Sequence, residues 1–130
     1  MRLCVPVFTV KTGAGDDLWL RAIYDAEPGD ILVVDAGTGY EAGYWGEITT
    51  RAATRRTLGG LVINGCVRDA ERLRDLGFPV FAHGFCIRRT TKLTAATGAL
   101  DFDGIVVTPG DLLFGDDDGL VVISRARIKK

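Results

Sequence analysis

Two carboxylates and one guanidinium in the middle of the chain have the chemistry to act together. Glu47 opens a helix-like segment, and Arg68 and Asp69 follow the next apolar strand, with no other Asp or Glu between Glu47 and Asp69. Carboxylate oxygens suit a hard divalent cation, and the planar fork of an Arg suits a carboxylate substrate. These residues therefore predict a site for a cation and an anionic substrate. The plainer alternative is an ion pair that caps two helices.

Apolar runs and glycine turns predict the elements that must position these residues. Strands are predicted at Leu3 to Val10, Ile31 to Asp35, Leu61 to Asn64 and Val80 to Ala82, and helices from Leu18 to about Ala26, Glu47 to Leu58 and Ala70 to Leu76. Right-handed crossovers make the two central apolar strands parallel neighbours. The glycine-rich loop from Ala36 to Gly46 and the Arg68-Asp69 turn both follow strand ends, which is where open α/β sheets bind ligands.

The last third of the chain predicts strands joined by turns. Three strands are predicted as an antiparallel series, at Gly104 to Val107, Leu112 to Phe114 and Leu120 to Ile123, with turns at Pro109-Gly110-Asp111 and Asp116-Asp117-Asp118-Gly119. Residues 83 to 103 predict only irregular strand or loop. The fold class is therefore α/β at the centre with an all-β closing half. The similar segments Pro28-Gly29-Asp30 and Pro109-Gly110-Asp111 indicate the same turn chemistry used twice rather than a repeat.

Length and composition exclude several classes of protein. A chain of 130 residues predicts one domain with a single core. Its composition, 47% hydrophobic and 25% charged with a net charge of -1, predicts neither a nucleic-acid-binding surface nor a membrane-binding one. No apolar run approaches the roughly 20 residues that span a bilayer, and the first residues do not form a signal peptide. A cytoplasmic location is therefore expected.

Two other motifs resemble ligand sites, but each predicts something plainer. Gly37-Thr38-Gly39-Tyr40-Glu41-Ala42 matches the dinucleotide fingerprint, yet its helix starts late and no acid follows about 20 residues on to bind a ribose. These glycines instead allow backbone N–H groups to face an anion at the start of the Glu47 helix. The run Asp116-Asp117-Asp118 lacks the spacing and the distal Glu of a calcium loop, which favours a solvated turn.

The thiols and amines predict no nucleophile. Cys4, Cys66 and Cys86 are odd in number and lack CxxC-type spacing, which argues against a disulfide framework and a structural zinc site. Cys66 lies near Arg68 in sequence, but its base would have to be His83, the only His. We favour packing roles for both because a free Cys behaves as a small buried hydrophobe. None of the four lysines falls in a predicted apolar strand, which disfavours a Schiff base.

A resemblance to a known family adds to this interpretation. The spacing of Glu47 from Arg68-Asp69, the Gly65-Cys66-Val67 that leads into Arg68, and the upstream Pro28 to Asp35 segment are similar to the RraA-like family. The likeness runs from about Leu3 to Ile123. That family includes the class II 4-hydroxy-4-methyl-2-oxoglutarate aldolases and the RraA regulators of RNase E activity. The resemblance implies a swivelling β/β/α domain that assembles as a trimer or hexamer, with sites between subunits.

The resemblance also implies roles for the central residues. Asp69 would hold Mg²⁺ or Mn²⁺, mostly through waters, and Arg68 would contact the pyruvyl group of the substrate. Glu47 would position or transfer a proton through water. The substrate carboxylate would contact the backbone along the segment made of Gly43, Tyr44, Trp45, Gly46, Glu47 and Ile48.

The chain also departs from the family pattern. Family members usually carry a helical segment before the first strand and an extension after the last one. This sequence starts at the first strand and stops at Lys130. We therefore expect a single RraA-like domain over residues 1–130 that lacks both additions.

The leading hypothesis for function is a metal-dependent carbon–carbon lyase that acts on a small 2-oxo acid. It would cleave a 4-hydroxy-2-oxo acid by a retro-aldol step, decarboxylate an oxaloacetate-like acid, or do both, through a metal-stabilised pyruvate enolate. One alternative is a non-catalytic binding protein of the regulator type. A biosynthetic member of the family with altered chemistry is the other.

The aromatic residues of the glycine-rich loop predict a subunit contact. Tyr40, Tyr44 and Trp45 are large, and such a loop is expected to bury them poorly on its own. Because protein interfaces are enriched in aromatics, we expect the loop to pack against another subunit. Truncation of Trp45 should then weaken assembly and activity together.

Overall fold

The computed structural model describes residues 3–12, 18–36, 43–88, 95–96, 98–102 and 104–128. The strands are β1 Leu3–Thr12, β2 Ile31–Asp35, β3 Gly60–Ile63, β4 Cys66–Val67, β5 Val80–Phe81, β6 Gly84–Phe85, β7 Ala95–Ala96, β8 Leu100–Phe102, β9 Ile105–Val107, β10 Leu112–Asp116 and β11 Gly119–Ile123. The helices are α1 Leu18–Asp25, α2 Glu47–Arg55 and α3 Ala70–Leu76, with a 3₁₀ helix at Arg125–Arg127. Within these ranges no helix is long and apolar enough to cross a membrane.

One mixed sheet organises the chain. Its strand order is β11-β10-β1-β2-β3-β5, and β7 pairs with the far end of β1. The pairs β1–β2, β2–β3 and β3–β5 are parallel, whereas β10 runs antiparallel to both β1 and β11. The prediction that the two central apolar strands are parallel neighbours is therefore confirmed. β1 is longer than predicted and includes Lys11, which the sequence had placed outside any strand.

The central strand β2 is buried on both faces, as its continuous apolar sequence predicts. Leu32 and Val34 belong to a core cluster that also holds residues of all three helices. Ile31 and Val33 face a second cluster, which contains Leu113 of β10. The sheet thus separates two cores, and the helices lie on one side of it.

Two turns of identical geometry lead into β2 and β10. In each, the Asp donates its N–H to the carbonyl oxygen three residues earlier, at 3.0 Å for Asp30 and Glu27 and 3.1 Å for Asp111 and Thr108. The intervening glycines have φ near +90°, which Pro-Gly type II turns require. Each Asp carboxylate also accepts the N–H of the turn's first residue, at 3.0 and 2.9 Å. The recurrent turn chemistry is confirmed, and burial raises the pKa of Asp30.

The predicted antiparallel series is wrong in its first step. β9 pairs with β8 in a separate two-stranded sheet, and β10 pairs with β1 instead. The cause is the type II turn at Thr108–Asp111, because the backbone twist of that turn splays strands instead of pairing them. The hairpin of β10 and β11 is confirmed, and Asp117 and Asp118 are exposed at its turn.

Helix α2 is shorter than predicted, and its arginines differ from one another. The helix ends at Arg55 because Thr57 adopts a left-handed backbone with φ of 56°. Arg51 and Arg55 lie on a solvated face, whereas Arg56 is half-buried. Arg56 donates from Nη2 to the carbonyl of Tyr24 at 2.9 Å and to that of Ala26 at 3.3 Å.

Arg56 therefore satisfies carbonyl groups at the carboxyl end of α1, where a cation also interacts favourably with the helix dipole. We expect Arg56→Ala to lower the free energy of unfolding by about 1–2 kcal/mol, since it removes charge-assisted hydrogen bonds that are partly exposed. Arg55→Ala, one residue earlier and exposed, is the matched control and should change it by less than ~0.5 kcal/mol. Urea unfolding at one fixed protein concentration measures both. Equal losses in the two variants would contradict this role of Arg56.

Candidate functional site

A buried chain of hydrogen bonds fixes the start of α2. The indole N–H of Trp45 donates to Oγ1 of Thr50 at 2.6 Å, and that hydroxyl donates to the carbonyl of Gly46 at 2.7 Å. The N–H of Gly46 donates to Oγ1 of Thr49 at 3.0 Å. Gly46 is the N-cap residue and has no side chain to cap the helix. A cap for the next N–H group must therefore come from elsewhere in the chain.

Asp69 supplies that cap from another element. Its Oδ2 accepts the N–H of Glu47, the first residue of α2, at 2.9 Å. Asp69 is also the N-cap residue of α3 and adopts a left-handed backbone with φ of 60° and ψ of 43°. A Cβ atom on Gly46 would lie 2.7 Å from Oδ2 of Asp69. Only a glycine at position 46 therefore admits this carboxylate to the start of α2.

Arg68 lies across the same glycine backbone. The Cβ position of Gly46 would be 3.0 Å from Nε of Arg68, and Nη1 donates to the carbonyl of Gly43 at 3.3 Å. The backbone N–H of Arg68 donates to the carbonyl of Trp45 at 2.8 Å. None of the described carboxylates lies within ion-pair distance of this guanidinium. Its remaining N–H groups can therefore serve an anion.

Glu47 pairs with two other arginines. Its Oε2 accepts from Nε of Arg51 at 2.9 Å, one turn along the same helix. Its Oε1 lies 3.7 Å from Nε of Arg72, which belongs to α3. The alternative of an ion pair at the helix starts thus holds for Glu47, and Asp69 does cap α2. Arg68 takes no part in either contact.

The predicted site residues lie close together in the structure, but most backbone N–H groups of the predicted substrate-binding segment are already hydrogen-bonded within the chain. The N–H groups of Gly43 and Tyr44 donate to the carbonyls of Arg88 and Cys66, both at 2.9 Å. Those of Gly46 and Glu47 are also bonded within the chain. In the described part of the chain, the N–H of Ile48 has no acceptor. The backbone N–H of Ile48 can therefore bind an anion at the start of the helix.

The premise that the loop aromatics need another subunit is wrong for Trp45. Its side chain is fully buried within its own chain and stacks on Phe78, with ring centroids 6.3 Å apart. Tyr44 is half-buried against Gly65. Sequence reasoning missed this because the partner, Phe78, lies more than thirty residues away. Tyr40 and the fingerprint segment 37–42 lie outside the described residues.

The donor set at Asp69 suits a divalent cation that keeps most of its water. The side chain is exposed, and Oδ2 is the oxygen that caps α2. Within the described ranges, no three His, Cys, Asp or Glu residues cluster to hold a metal. Mg²⁺ commonly binds through one or two carboxylates plus waters. The residues present therefore fit a cation held by one protein carboxylate, and do not fit a closed zinc or calcium cage.

Cys66 is a packing residue, as expected. It is buried, and burial together with the nearby Cys86 raises the pKa of its thiol, which disfavours the nucleophilic thiolate. His83 is exposed and not a core residue, and its backbone N–H donates to the carbonyl of Gly65 at 3.0 Å.

The two partners of Glu47, Arg51 and Arg72, were not predicted from the sequence. The spacing of Glu47 and Arg51, four residues apart, is a known signal for a helical ion pair and could have indicated the first one. Nothing local in the sequence indicates Arg72, because its contact depends on how α2 and α3 pack. A cavity of about 370 Å³ lies between α3 and the segment that carries β5 and β6, lined by residues that include Leu73, Phe78 and Phe85.

Comparisons with known proteins identify relatives of this chain. A sequence model of the RraA-like family, described as Aldolase/RraA, matches residues 2–122. A protein of Halalkalibacterium halodurans named "Putative 4-hydroxy-4-methyl-2-oxoglutarate aldolase" is 33% identical over 125 residues, which are 94% of this chain. The chain spans only 60% of the length of that relative.

Two solved structures share the fold. Streptomyces coelicolor RraAS2, described as an unusual member of the RNase ES inhibitor RraA protein family, superposes with a TM-score of 0.84 at 29% identity, covering 95% of this chain and 66% of its own. The RNA-processing inhibitor RraA from Thermus thermophilis superposes with a TM-score of 0.83 at 27% identity, covering 97% and 80%. The predicted fold class, an α/β swivelling domain with parallel central and antiparallel closing strands, is thereby confirmed. The chain belongs to the RraA-like family.

Proposed function

We propose that this protein is a divalent-metal-dependent carbon–carbon lyase that acts on a small 2-oxo acid. The observation that carries the proposal is the convergence of Arg68, Asp69 and the start of α2 on the backbone of Gly46. The guanidinium of Arg68, which has no carboxylate partner among the described residues, thus lies beside the exposed carboxylate of Asp69 and the N-terminus of α2. The aldolase name of the 33% identical relative supports the same reaction class.

Each residue has a role that its contacts support. Arg68 and the N–H of Ile48 bind the carboxylate and the 2-oxo oxygen of the substrate. Asp69 would hold Mg²⁺ or Mn²⁺, which supplies Lewis-acid stabilisation of the negative charge that develops on the substrate. In the retro-aldol reaction the 4-hydroxyl group gives its proton to the water held by Glu47. The carbon–carbon bond then breaks with its electron pair retained by the pyruvate fragment, as an enolate. Glu47 then delivers a proton to that fragment through a water molecule.

Two substrates fit this scheme. A 4-hydroxy-2-oxo acid would yield pyruvate and a second carbonyl compound, and an oxaloacetate-like acid would yield pyruvate and carbon dioxide. The enolate is common to both reactions, so the same groups serve each. The second candidate function is a non-catalytic binding protein, which the RNA-processing inhibitor names of the solved structures favour.

We also propose that the protein assembles as a trimer or hexamer with its sites at subunit contacts. Three large apolar side chains flank the site and face solvent: Ile48 is 82% exposed, Phe85 58% and Ile87 92%. Phe85 also lines the apolar cavity behind α3. Exposed apolar surface of this extent is typical of interaction surfaces. Trp45 is buried within its own chain, so the contact is assigned to these residues instead.

The first test concerns the cation. Asp69→Asn keeps an oxygen that can accept the N–H of Glu47, and Asn tolerates the left-handed backbone, so the variant removes only the charge. We expect turnover to fall by about 100-fold or more, and EDTA to abolish wild-type turnover. Pyruvate release from a panel of 2-oxo acids, with Mg²⁺ and with EDTA, measures this. Full and chelator-insensitive activity in Asp69→Asn would refute the assignment.

The second test concerns Arg68. Because Lys lacks the planar fork that binds a carboxylate through two parallel hydrogen bonds, Arg68→Lys should lower kcat/KM by about tenfold or more. The control is Arg21→Lys in α1, an exposed arginine paired with Asp25, which should leave kcat/KM unchanged. Steady-state kinetics with the best substrate of the panel measures kcat/KM for both variants. Wild-type kcat/KM in Arg68→Lys would reduce this residue to a structural charge.

The third test concerns assembly. Light scattering should give a mass of three or six times 14.0 kDa at micromolar concentration. Ile87→Asp should lower that mass, because it places a charge in the proposed contact. Val106→Asp, at another exposed apolar position in β9, is the control. A wild-type monomer would refute the assembly, and a loss of mass in Val106→Asp alone would place the contact elsewhere.

A further inference from the structure

The carboxylate of Glu47 is held from two directions. On one side, Nε of Arg51 donates a hydrogen bond of 2.9 Å to Oε2. On the other, Nε of Arg72 lies 3.7 Å from Oε1. The two oxygens of one carboxylate are thus assigned to two different guanidinium groups.

The two arginines differ in what they can fix. Arg51 belongs to α2, as Glu47 does, so their pair moves with that helix and defines no position outside it. Arg72 belongs to α3 and follows Asp69 by three residues. Asp69 itself holds the backbone N–H of Glu47. Asp69 and Arg72 therefore tie the backbone and the side chain of Glu47 to the same end of α3.

The contact with Arg72 is too exposed to serve mainly as a source of stability. The side chain of Arg72 is 64% exposed, and that of Glu47 is 32% exposed. At 3.7 Å the pair is an ion pair without a hydrogen bond. Exposed pairs of this kind contribute little to the free energy of unfolding. What Arg72 adds is a contact between α3 and the carboxylate of Glu47, beside the candidate site.

We propose that Arg72 is a positioning residue that fixes the carboxylate of Glu47 relative to Asp69. This inference rests on the proposed function in one respect, since Glu47 is there the group that delivers the proton. With Arg72 present, the carboxylate keeps one orientation toward the start of α3. Without it, the carboxylate rotates with Arg51, and the water that it holds is misplaced for proton delivery.

Kinetics tests the consequence of this positioning. Arg72→Ala should lower kcat by about fivefold to tenfold while KM changes less than about twofold, and Arg72→Lys should restore part of the loss. In the Glu47→Gln background, Arg72→Ala should cause almost no further loss, because Arg72 acts through Glu47. Arg55→Ala, in α2 but without contact to Glu47, should match the wild type. An unchanged kcat in Arg72→Ala, or an equal loss in both backgrounds, would overturn the proposal.

A second measurement does not need activity. In ¹H–¹⁵N spectra, Glu47→Gln should move the Nε–H signals of Arg51 and Arg72 and leave that of Arg55 in place. If the Arg72 signal does not move, the positioning contact is absent whatever the kinetics show. A wild-type protein that cleaves no 2-oxo acid would refute the proposed function, and the spectra would still decide whether Arg72 holds Glu47.

Discussion

The candidate site depends on one carboxylate that enters a gap left by a missing side chain. Oδ2 of Asp69 reaches the N–H of Glu47 only because Gly46 has no Cβ atom, which would lie 2.7 Å away. This hydrogen bond joins the starts of α2 and α3, two helices that β3 and β4 separate in sequence. It also explains why Arg68, next to Asp69, lies along the same glycine backbone. Moving any one of these groups displaces the others.

The structural and the functional interpretations of Asp69 are therefore compatible. Helix capping uses Oδ2, and the exposed side chain leaves its second oxygen for a cation. The cap also keeps the carboxylate in place before any ligand binds, so little ordering remains to be done at binding. The same reasoning applies to Glu47. Its two ion pairs are the structural role expected of a charge cluster, and the same ion pairs constrain its side chain beside the site.

The sequence predicted what local patterns determine. The bounds of β2 and of α3 were predicted correctly, because a β-branched apolar run and a glycine stop are local signals. Longer-range features were not predictable in this way. The stacking of Trp45 on Phe78, the pairing of β9 with β8, and the contact of Arg72 with Glu47 each depend on how distant elements pack. The candidate site residues were proposed from their types, their spacing and a family resemblance, and the structure shows which of their atoms already take part in contacts.

The geometry bears on the choice between a lyase and a silent binding protein. Asp69 holds a left-handed backbone that costs a non-glycine residue on the order of 1 kcal/mol or more. Arg68 is half-buried with no carboxylate partner among the described residues, and Ile48 presents both an amide without an acceptor there and an exposed side chain. The backbone of Asp69 therefore lowers the stability of the free protein, whereas the guanidinium of Arg68 and the amide of Ile48 can be satisfied by water or by a ligand. These groups lie together at one helix start, so a ligand that carries an anionic group and binds a cation could contact Arg68, the amide of Ile48 and Asp69 at once. A small 2-oxo acid with a divalent cation has that chemistry, which supports the lyase over a protein that only presents a surface.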